Sequence, residues 1–329
     1  ALNDPDSPYR GWFRVSPTAG PDNAWGDNGW RKSPVRDEYY YGFFSHRMPD
    51  LNWEAEPVRE DMKKIAAYWL GEQGADGLRL DAVWHRMEGS DGQAGHVPRT
   101  HEMLREYGDY VRSAHPGSYT LGEVFDGSDA IFAYYPDQLD AFFAFGVSGG
   151  ILDAVGTGDG TAMLDAVVRM QNQVPNERWA PFLKNHDQTR TLTVLGGDLE
   201  GARLAAAFLL TLPGLPFVYY GEELGMTGDK PDPRLRTPMH WDLGHAAGFT
   251  TGTPWEPLQD DWQTANVEVL DVSDDSILDL YRELIRLRLE NPALGASAEL
   301  VPLRSNMHGA VAYLRRGEGD AALVVANMG

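Results

Sequence analysis

Three acidic residues stand where short apolar runs of the sequence end. Asp81 closes one run, Glu123 lies near the end of the next, and Asp187 directly follows His186 at the end of a later one. An ionised carboxylate can serve as a nucleophile, and a protonated carboxyl group can serve as a general acid. Two such groups side by side would support a displacement in which one attacks and the other transfers a proton.

The surroundings of the first two acids predict how these roles are divided. Arg79 precedes Asp81 by two residues, which in a strand places both side chains on one face. An arginine beside a carboxylate keeps it ionised and oriented, as a nucleophile requires. Glu123 lies in an otherwise apolar stretch, which raises the pKa of a carboxyl group and suits a general acid.

Each of these residues also has an ordinary structural explanation. A lone acid at a strand end often caps a helix or forms an ion pair, and His186 can be a hydrogen-bonded loop histidine. Their joint position at the ends of strands in one series favours an active site over three unrelated structural roles.

The elements that carry these residues alternate between strands and helices. Such alternation predicts an α/β fold with a parallel sheet and right-handed crossovers. Polar residues at the strand ends favour a barrel, whose active site lies at that end, and no Gly-rich phosphate loop supports the alternative of an open doubly wound sheet. The predicted strands are Gly77–Asp81, Tyr119–Val124, Asp140–Phe145, Pro181–Asp187 and Pro216–Glu222, and the predicted helices are Pro57–Gly71, Thr100–Ser113, Thr161–Gln171, Leu199–Leu212 and Ile277–Glu290.

Composition excludes several classes of partner and site. The formal net charge is −21, from 49 Asp and Glu against 28 Lys and Arg, and it would repel nucleic acid and anionic membrane surfaces but not a neutral substrate. No apolar run approaches the roughly 18–20 residues of a membrane span. The absence of cysteine excludes disulfides, thiolate zinc sites and cysteine nucleophiles.

The segment around each acid resembles a motif of glycoside hydrolase family 13, the α-amylase family. Gly77–His85 resembles its nucleophile motif, Gly122–Val124 its acid/base motif and Phe182–Asp187 its third-carboxylate motif. The resemblance extends over nearly the whole chain. Met48–Asn52 is similar to the signature near the end of the family's inserted B domain, and Tyr219–Met226 is similar to its eighth-strand segment.

This resemblance implies a role for each candidate residue. Asp81 would be the nucleophile and Glu123 the acid/base of a retaining hydrolase, which forms a covalent glycosyl-enzyme. Asp187 would be the third catalytic carboxylate and bind sugar hydroxyls of an α-glucan or maltooligosaccharide. The residues expected to bind substrate are Arg79, His186, Arg190 and His85.

The resemblance also implies a (β/α)8 TIM barrel that is only partly present. Residues 1–56, rich in loops, would be the B-domain insertion, residues 57–293 the barrel with strands 4 to 8, and residues 294–329 the start of a C-terminal antiparallel β domain. The first three β/α units would precede Ala1. A barrel without them cannot close, so we expect residues 1–329 alone to be poorly folded and inactive.

A structural Ca²⁺ is a further expectation from the family. The family's first motif, whose asparagine often helps to bind calcium, has no counterpart in this sequence, so the calcium site would be incomplete. His85 matches a position whose backbone carbonyl often joins that site. Further oxygen ligands are offered by a run that a solvated turn explains more simply, namely Asp22, Asn23, Asp27 and Asn28.

Specificity within the family is predicted from two positions. Met48–Asn52 resembles the intermediary group between oligo-1,6-glucosidases and neopullulanase-like enzymes, whose members are often α-amylases. In related glucosidases a valine after the nucleophile accompanies α-1,6 preference, whereas a smaller residue accompanies α-1,4 preference. Ala82 therefore favours α-1,4 bonds.

Other functions remain as alternatives. An α-glucosidase, or a trehalose synthase or glucanotransferase acting by transglycosylation, would share every catalytic residue. A non-catalytic relative would have lost Asp81 or Glu123, and both are present. A metallohydrolase built on His46, His85 and His186 lacks close ligand spacing. The compartment and the oligomeric state stay open, with a secreted or periplasmic location favoured.

Overall fold

The structure of the protein is a computed structural model that describes residues 3–20, 29–85, 87, 95–126, 129–303 and 309–329. The chain divides into two units, residues 1–142 and residues 143–329. This division falls inside the region predicted to be a barrel, and the predicted domain limits at residues 56 and 293 stay predictions.

Helices and strands alternate along most of the chain, as the sequence predicts. No helix in the described part of the chain is long and apolar enough to cross a membrane. The helices are α1 Glu56–Ala67, α2 Pro98–Ala114, α3 Phe145–Thr157, α4 Thr161–Gln173, α5 Thr191–Val194, α6 Leu199–Thr211, α7 Asp232–Leu235, α8 Val267–Asp271 and α9 Ile277–Glu290. The strands are β1 Val15–Ser16, β2 Trp30–Lys32, β3 Tyr39–Tyr41, β4 Gly77–Leu80, β5 Tyr119–Gly122, β6 Ala141–Phe143, β7 Trp179–Ala180, β8 Glu299–Leu303, β9 Ala310–Gly317 and β10 Asp320–Asn327.

The first unit contains a parallel sheet in the order β4, β5, β6. Helix α2 forms the crossover between β4 and β5, and it packs on α1 through Ala66, Leu70 and Val111. Gly122 ends β5 where the sheet is tightly packed, since a Cβ there would lie 2.5 Å from the ring of Phe142. A parallel sheet with helical crossovers confirms the α/β class predicted from the sequence.

The loop-rich segment at the start of the chain also contains a small sheet that the sequence pattern does not predict. Its strands lie in the order β1, β3, β2, and both pairs are antiparallel. The strands are two or three residues long, which is too short for periodicity to indicate them.

In the second unit, α6 and α9 pack together with side-chain caps at their N-termini. Asp198 accepts a hydrogen bond from Gly201 N at 3.0 Å, and Ser276 accepts one from Asp279 N at 3.1 Å. Each cap satisfies a backbone donor that the helix itself cannot pair. The apolar contact between the helices is made by Ala202, Ala206, Leu210, Ile277 and Tyr281.

Helix α3 is missing from the sequence prediction. Four glycines lower its intrinsic helix propensity, by about 1 kcal/mol each relative to alanine. Tertiary packing decides in favour of the helix, because Ile151 and Val147 are buried and α3 packs on α4. At Gly150 a Cβ would lie 3.2 Å from Met163 Cα, so a glycine there permits the close approach.

Two predicted strands of this unit are much shorter than the sequence indicated. In Pro181–Asp187 and Pro216–Glu222, only one parallel bridge forms, between Phe182 and Phe217. The first run enters a turn at its polar end, and Gly221, at φ 84°, begins a 3-10 turn that ends the second. The polar ends of these two runs therefore lie in loops, and these loops hold candidate site residues.

The C-terminal strands form the antiparallel sheet that was predicted, in the order β10, β9, β8. Two arginines, the buried Arg315 and the half-buried Arg288, donate to backbone carbonyls at the C-terminal end of α6, where helix carbonyls lack internal partners. Burial lowers the pKa of Arg288 and of Arg315 to about 10, so both stay charged at neutral pH. Arg315 on β9 donates to the carbonyls of Thr211, Gly295 and Ala298, and Arg288 on α9 donates to those of Leu210, Leu212 and Gly214.

We predict that Arg315→Met in the full-length protein lowers the free energy of unfolding by about 3 kcal/mol, because buried carbonyls lose their donors. Arg316→Met is the matched control, since Arg316 is the next residue of β9 and forms an exposed ion pair with Glu299. Such a pair is worth about 0–1 kcal/mol. Guanidinium denaturation measures both variants, and equal losses would contradict a specific role for Arg315.

Candidate active site

Asp81 and Glu123 lie side by side at the carboxyl ends of two adjacent parallel strands. The pairing of β4 with β5 brings Leu80 opposite Gly122, and each of these residues is followed by an acid. The backbone continues the pairing, because Glu123 N donates to Leu80 O at 3.0 Å. The sequence predicted this adjacency, and it is a consequence of parallel strand register.

One guanidinium contacts both carboxylates. Arg79 Nη1 donates to Asp81 Oδ1, and Arg79 Nη2 lies 2.8 Å from Glu123 Oε2. Two acids that contact the same guanidinium repel each other when both are ionised, and the positive charge of that guanidinium offsets the repulsion. The contact between Arg79 and Asp81 follows from their spacing, whereas the contact with Glu123 depends on strand pairing.

The two acids differ in their access to solvent. The side chain of Asp81 is 64% exposed, whereas that of Glu123 is 10% exposed. Glu123 Oε2 also accepts a hydrogen bond from Ala82 N at 3.1 Å, and Ala82 adopts a left-handed backbone at φ 40°. The turn after Asp81 therefore directs its backbone N–H at the second acid, while Asp81 stays open to an incoming molecule.

Asp187 lies in the second unit and is held by a histidine and an arginine. His186 Nε2 lies 3.1 Å from Asp187 Oδ2. Arg236 donates to Asp187 Oδ1 through Nη2 and to the backbone carbonyl of His186 through Nε at 2.9 Å. The guanidinium thus fixes both the carboxylate and the peptide next to it.

Arg236 is a site residue that sequence reasoning missed. It follows α7 and is 49 residues from Asp187, so no local spacing connects the two. The available signal was a basic residue in the loop after the predicted strand Pro216–Glu222, at the end of the sheet where the other candidates lie.

Arg190, predicted to contact substrate, is 1% exposed. Its guanidinium lies over the rings of Tyr219 and Tyr220, 4.6 and 4.7 Å from their centroids, and Nη1 donates to Tyr220 O at 2.7 Å. A guanidinium this deeply buried is better suited to holding the two tyrosines in place than to contacting a ligand directly.

His85 is buried between aromatic rings in the first unit. Its ring centroid lies 4.1 Å from that of Phe43 and 4.0 Å from that of Trp84. Burial, with a smaller effect from His96, lowers the pKa of His85 from 6.5 to about 4, so the imidazole is neutral at pH 7. Its substrate contact stays a prediction, and such a contact would involve a neutral ring.

The structure describes only part of the ligand set expected for a structural Ca²⁺. Among the described residues, no group of three or more His, Cys, Asp or Glu side chains is arranged to hold a metal ion. The acidic and amide candidates Asp22, Asn23, Asp27 and Asn28 lie outside the described residues. Structural Ca²⁺ stays a prediction, and no catalytic step below depends on it.

Comparison with known proteins assigns this arrangement of acids to a family. The family model described as the alpha-amylase catalytic domain matches residues 1–297. The chain belongs to the alpha-amylase family. The family is one of glycoside hydrolases, and the strand-end acids lie within the residues that match its catalytic domain.

Individual relatives share about a third of the sequence. Alpha-amylase 3 of Dictyoglomus thermophilum is 32% identical over 330 residues, which cover 98% of this chain and 62% of that protein. Trehalose-6-phosphate hydrolase of Escherichia coli is 30% identical over 396 residues, which cover 100% of this chain and 71% of that protein. The crystal structure of the alpha-amylase from H. orenii is similar with a TM-score of 0.85 and 31% identity, covering 99% of this chain and 66% of that one. The chain thus spans about 62–71% of the length of these relatives.

In the full-length alpha-amylase-family protein, Arg236→Met should lower kcat/KM for glycoside hydrolysis by about 10- to 100-fold. The reason is that Asp187 loses a charge-assisted hydrogen bond, worth about 1.5–3 kcal/mol. Initial rates at varied substrate concentration measure the change. Arg234→Met is the control, because Arg234 is two residues away and bonds instead to Gln259 and the Pro257 carbonyl. A similar loss in both variants would show that the effect is not specific to Asp187.

Proposed function

We propose that the full-length protein is a retaining α-glucan hydrolase of the α-amylase type, which cleaves α-1,4-glucosidic bonds in starch or maltooligosaccharides. Asp81 is the nucleophile, Glu123 the acid/base and Asp187 the third carboxylate. The observation that carries the proposal is the guanidinium of Arg79 in contact with both Asp81 and Glu123 at the ends of paired parallel strands. Retaining glycosidases place their two carboxyl groups about 5–5.5 Å apart, and two acids that share one guanidinium are compatible with such a separation.

The proposed reaction has two displacements. In the first, Asp81 Oδ attacks the anomeric carbon while Glu123 gives its proton to the oxygen of the departing sugar, and the product is a glycosyl ester of Asp81. In the second, Glu123 removes a proton from water, which attacks the same carbon and releases Asp81. The exposure of Asp81 supports the attack, and the enclosure of Glu123 supports proton transfer without exchange with bulk water.

Arg79 contributes to both steps in this proposal. Its contact keeps Asp81 ionised before the attack, and it offsets the charge that Glu123 gains after giving up its proton. His186 and Asp187 would bind hydroxyl groups of the reacting sugar, and Arg236 holds Asp187 for that purpose.

The proposed architecture is the later part of a (β/α)8 barrel, with residues 1–56 as an inserted B domain. The parallel order β4, β5, β6, the helical crossovers and the match to alpha-amylase structures support it. The antiparallel sheet of β8, β9 and β10 would then begin the C-terminal domain.

The substrate proposal depends on Ala82 and has a specific competitor. A small residue after the nucleophile favours α-1,4 bonds, as argued from the family resemblance, and the similarity to an alpha-amylase agrees with it. The similarity to a trehalose-6-phosphate hydrolase supports an alternative in which the substrate is a phosphorylated disaccharide. The high negative charge of the chain disfavours an anionic substrate.

We predict that Glu123→Gln in the full-length protein abolishes hydrolysis of maltotriose but still releases 4-nitrophenol from 4-nitrophenyl α-glucosides in a stoichiometric burst. A good leaving group needs no acid assistance in the first step, whereas the second step still needs a base. Asp81→Asn is the comparison and should lose both reactions, by several orders of magnitude in kcat. Stopped-flow absorbance measures the burst. Equal losses of the two reactions in Glu123→Gln would contradict its role as the acid.

We further predict that the full-length protein has a higher kcat/KM for maltotriose than for isomaltose, isomaltotriose or trehalose 6-phosphate. The physical basis is the small Ala82 side chain beside the nucleophile and the repulsion of phosphate by net charge. Glucose release from each sugar at matched concentrations measures the ratio. Preference for isomaltose would refute the α-1,4 assignment, and preference for trehalose 6-phosphate would support the competitor.

A further inference from the structure

Glu222 is a buried acid with no part in the proposed reaction. It is 6% exposed, and its carboxylate accepts three hydrogen bonds in the second unit. Oε1 accepts from Thr191 Oγ1 at 2.7 Å and from Lys184 N at 3.3 Å, and Oε2 accepts from Tyr219 N at 3.1 Å. The carboxylate thus joins its own turn to Lys184 and Thr191, which lie 38 and 31 residues earlier in the chain.

Two of these points are the ends of the segment that carries His186 and Asp187. Lys184 precedes this pair and Thr191 follows it, so a single oxygen of Glu222 fixes residues 184–191 at both ends. The predicted strand is only an isolated bridge here, and the segment has little sheet pairing to hold it. A link at both ends therefore limits the positions that Asp187 can take.

Burying the carboxylate of Glu222 costs desolvation free energy. Burial raises the pKa of Glu222 to about 7, and the bond from Thr191, the two backbone donors and the charge of Arg190 act in the opposite direction. An apolar residue of similar size would avoid the desolvation cost, so stability alone does not favour a glutamate here. The three donors explain its presence, because they need an acceptor that reaches all of them.

We propose that Glu222 is a positioning residue for Asp187, which fixes the segment 184–191 so that the carboxylate of Asp187 meets the sugar in the correct place. This inference rests on the proposed function, in which Asp187 binds sugar hydroxyl groups. Glu222 does not contact the sugar, and its effect on binding passes through Asp187.

A double-mutant cycle tests this route. Maltotriose is titrated by calorimetry into full-length protein that carries Glu123→Gln, which prevents turnover. In that background Glu222→Met should raise Kd by about 10-fold, because a thioether is a poor acceptor for the bonds from Thr191 Oγ1 and Lys184 N. Asp187→Asn should also raise Kd. The double substitution should add less than twofold to the Asp187→Asn value, since effects that act through one residue are not additive.

Glu223→Met is the matched control for this cycle. Glu223 is the next residue and accepts from Gly221 N within its own turn, so its substitution should change Kd by less than twofold. A 10-fold effect of Glu222→Met that persists in the Asp187→Asn protein would overturn the inference while leaving the proposed function intact. An unchanged Kd in Asp187→Asn would overturn the role of Asp187 in the proposed function and the inference with it.

A second pair of variants tests the inference if Glu222→Met does not fold, as judged by circular dichroism. Thr191→Val removes the hydroxyl donor and preserves the shape of the side chain, so Kd should rise about threefold or more in the same background. Thr191→Ser restores the hydroxyl and should return Kd to within twofold of the starting value. Equal binding by the valine and serine variants would overturn the inference.

Discussion

The contact of Arg79 with two carboxylates is the interaction on which the acid pair of the first unit depends. Parallel register places Asp81 and Glu123 at neighbouring strand ends, where two negative charges repel each other. The guanidinium offsets this repulsion. Arg79 belongs to the strand that Asp81 directly follows, so the two acids and the arginine come together when β4 pairs with β5. The chemistry of this part of the chain is thus fixed by sheet formation, not by a mobile loop.

The second unit holds its acid by a different strategy. Asp187 lies in a turn instead of a strand. Besides the adjacent His186, it contacts Arg236 from far along the sequence, and Glu222 bonds to both ends of its segment. Charged groups on backbone carbonyls recur in this unit, with the half-buried Arg288 and the buried Arg315 at the end of α6. Each buried charge satisfies several backbone groups at once, which is what offsets the cost of its desolvation.

The difference between the two units explains what the sequence could predict. Local features were predictable: α9 has the predicted limits, because Ser276 caps it and its apolar residues recur at helical spacing, and the Arg79–Asp81 contact follows from a separation of two residues. Features set by distant residues were not. Packing overrides the glycines of α3, and Arg236 reaches Asp187 across 49 residues without any local pattern. The strand register that brings Glu123 to Arg79 could be predicted only on the assumption that β4 and β5 are adjacent and parallel.

The left-handed backbone at Ala82 restricts how this site can evolve. A β-branched side chain is strained at φ 40°, which lies in the left-handed region of the backbone. By the family resemblance, valine is the residue that would accompany α-1,6 preference at this position. A lineage that exchanged alanine for valine here would therefore need a change of backbone together with the change of side chain. Because Ala82 N also donates to Glu123, that backbone change would also alter the hydrogen bonding of the second acid.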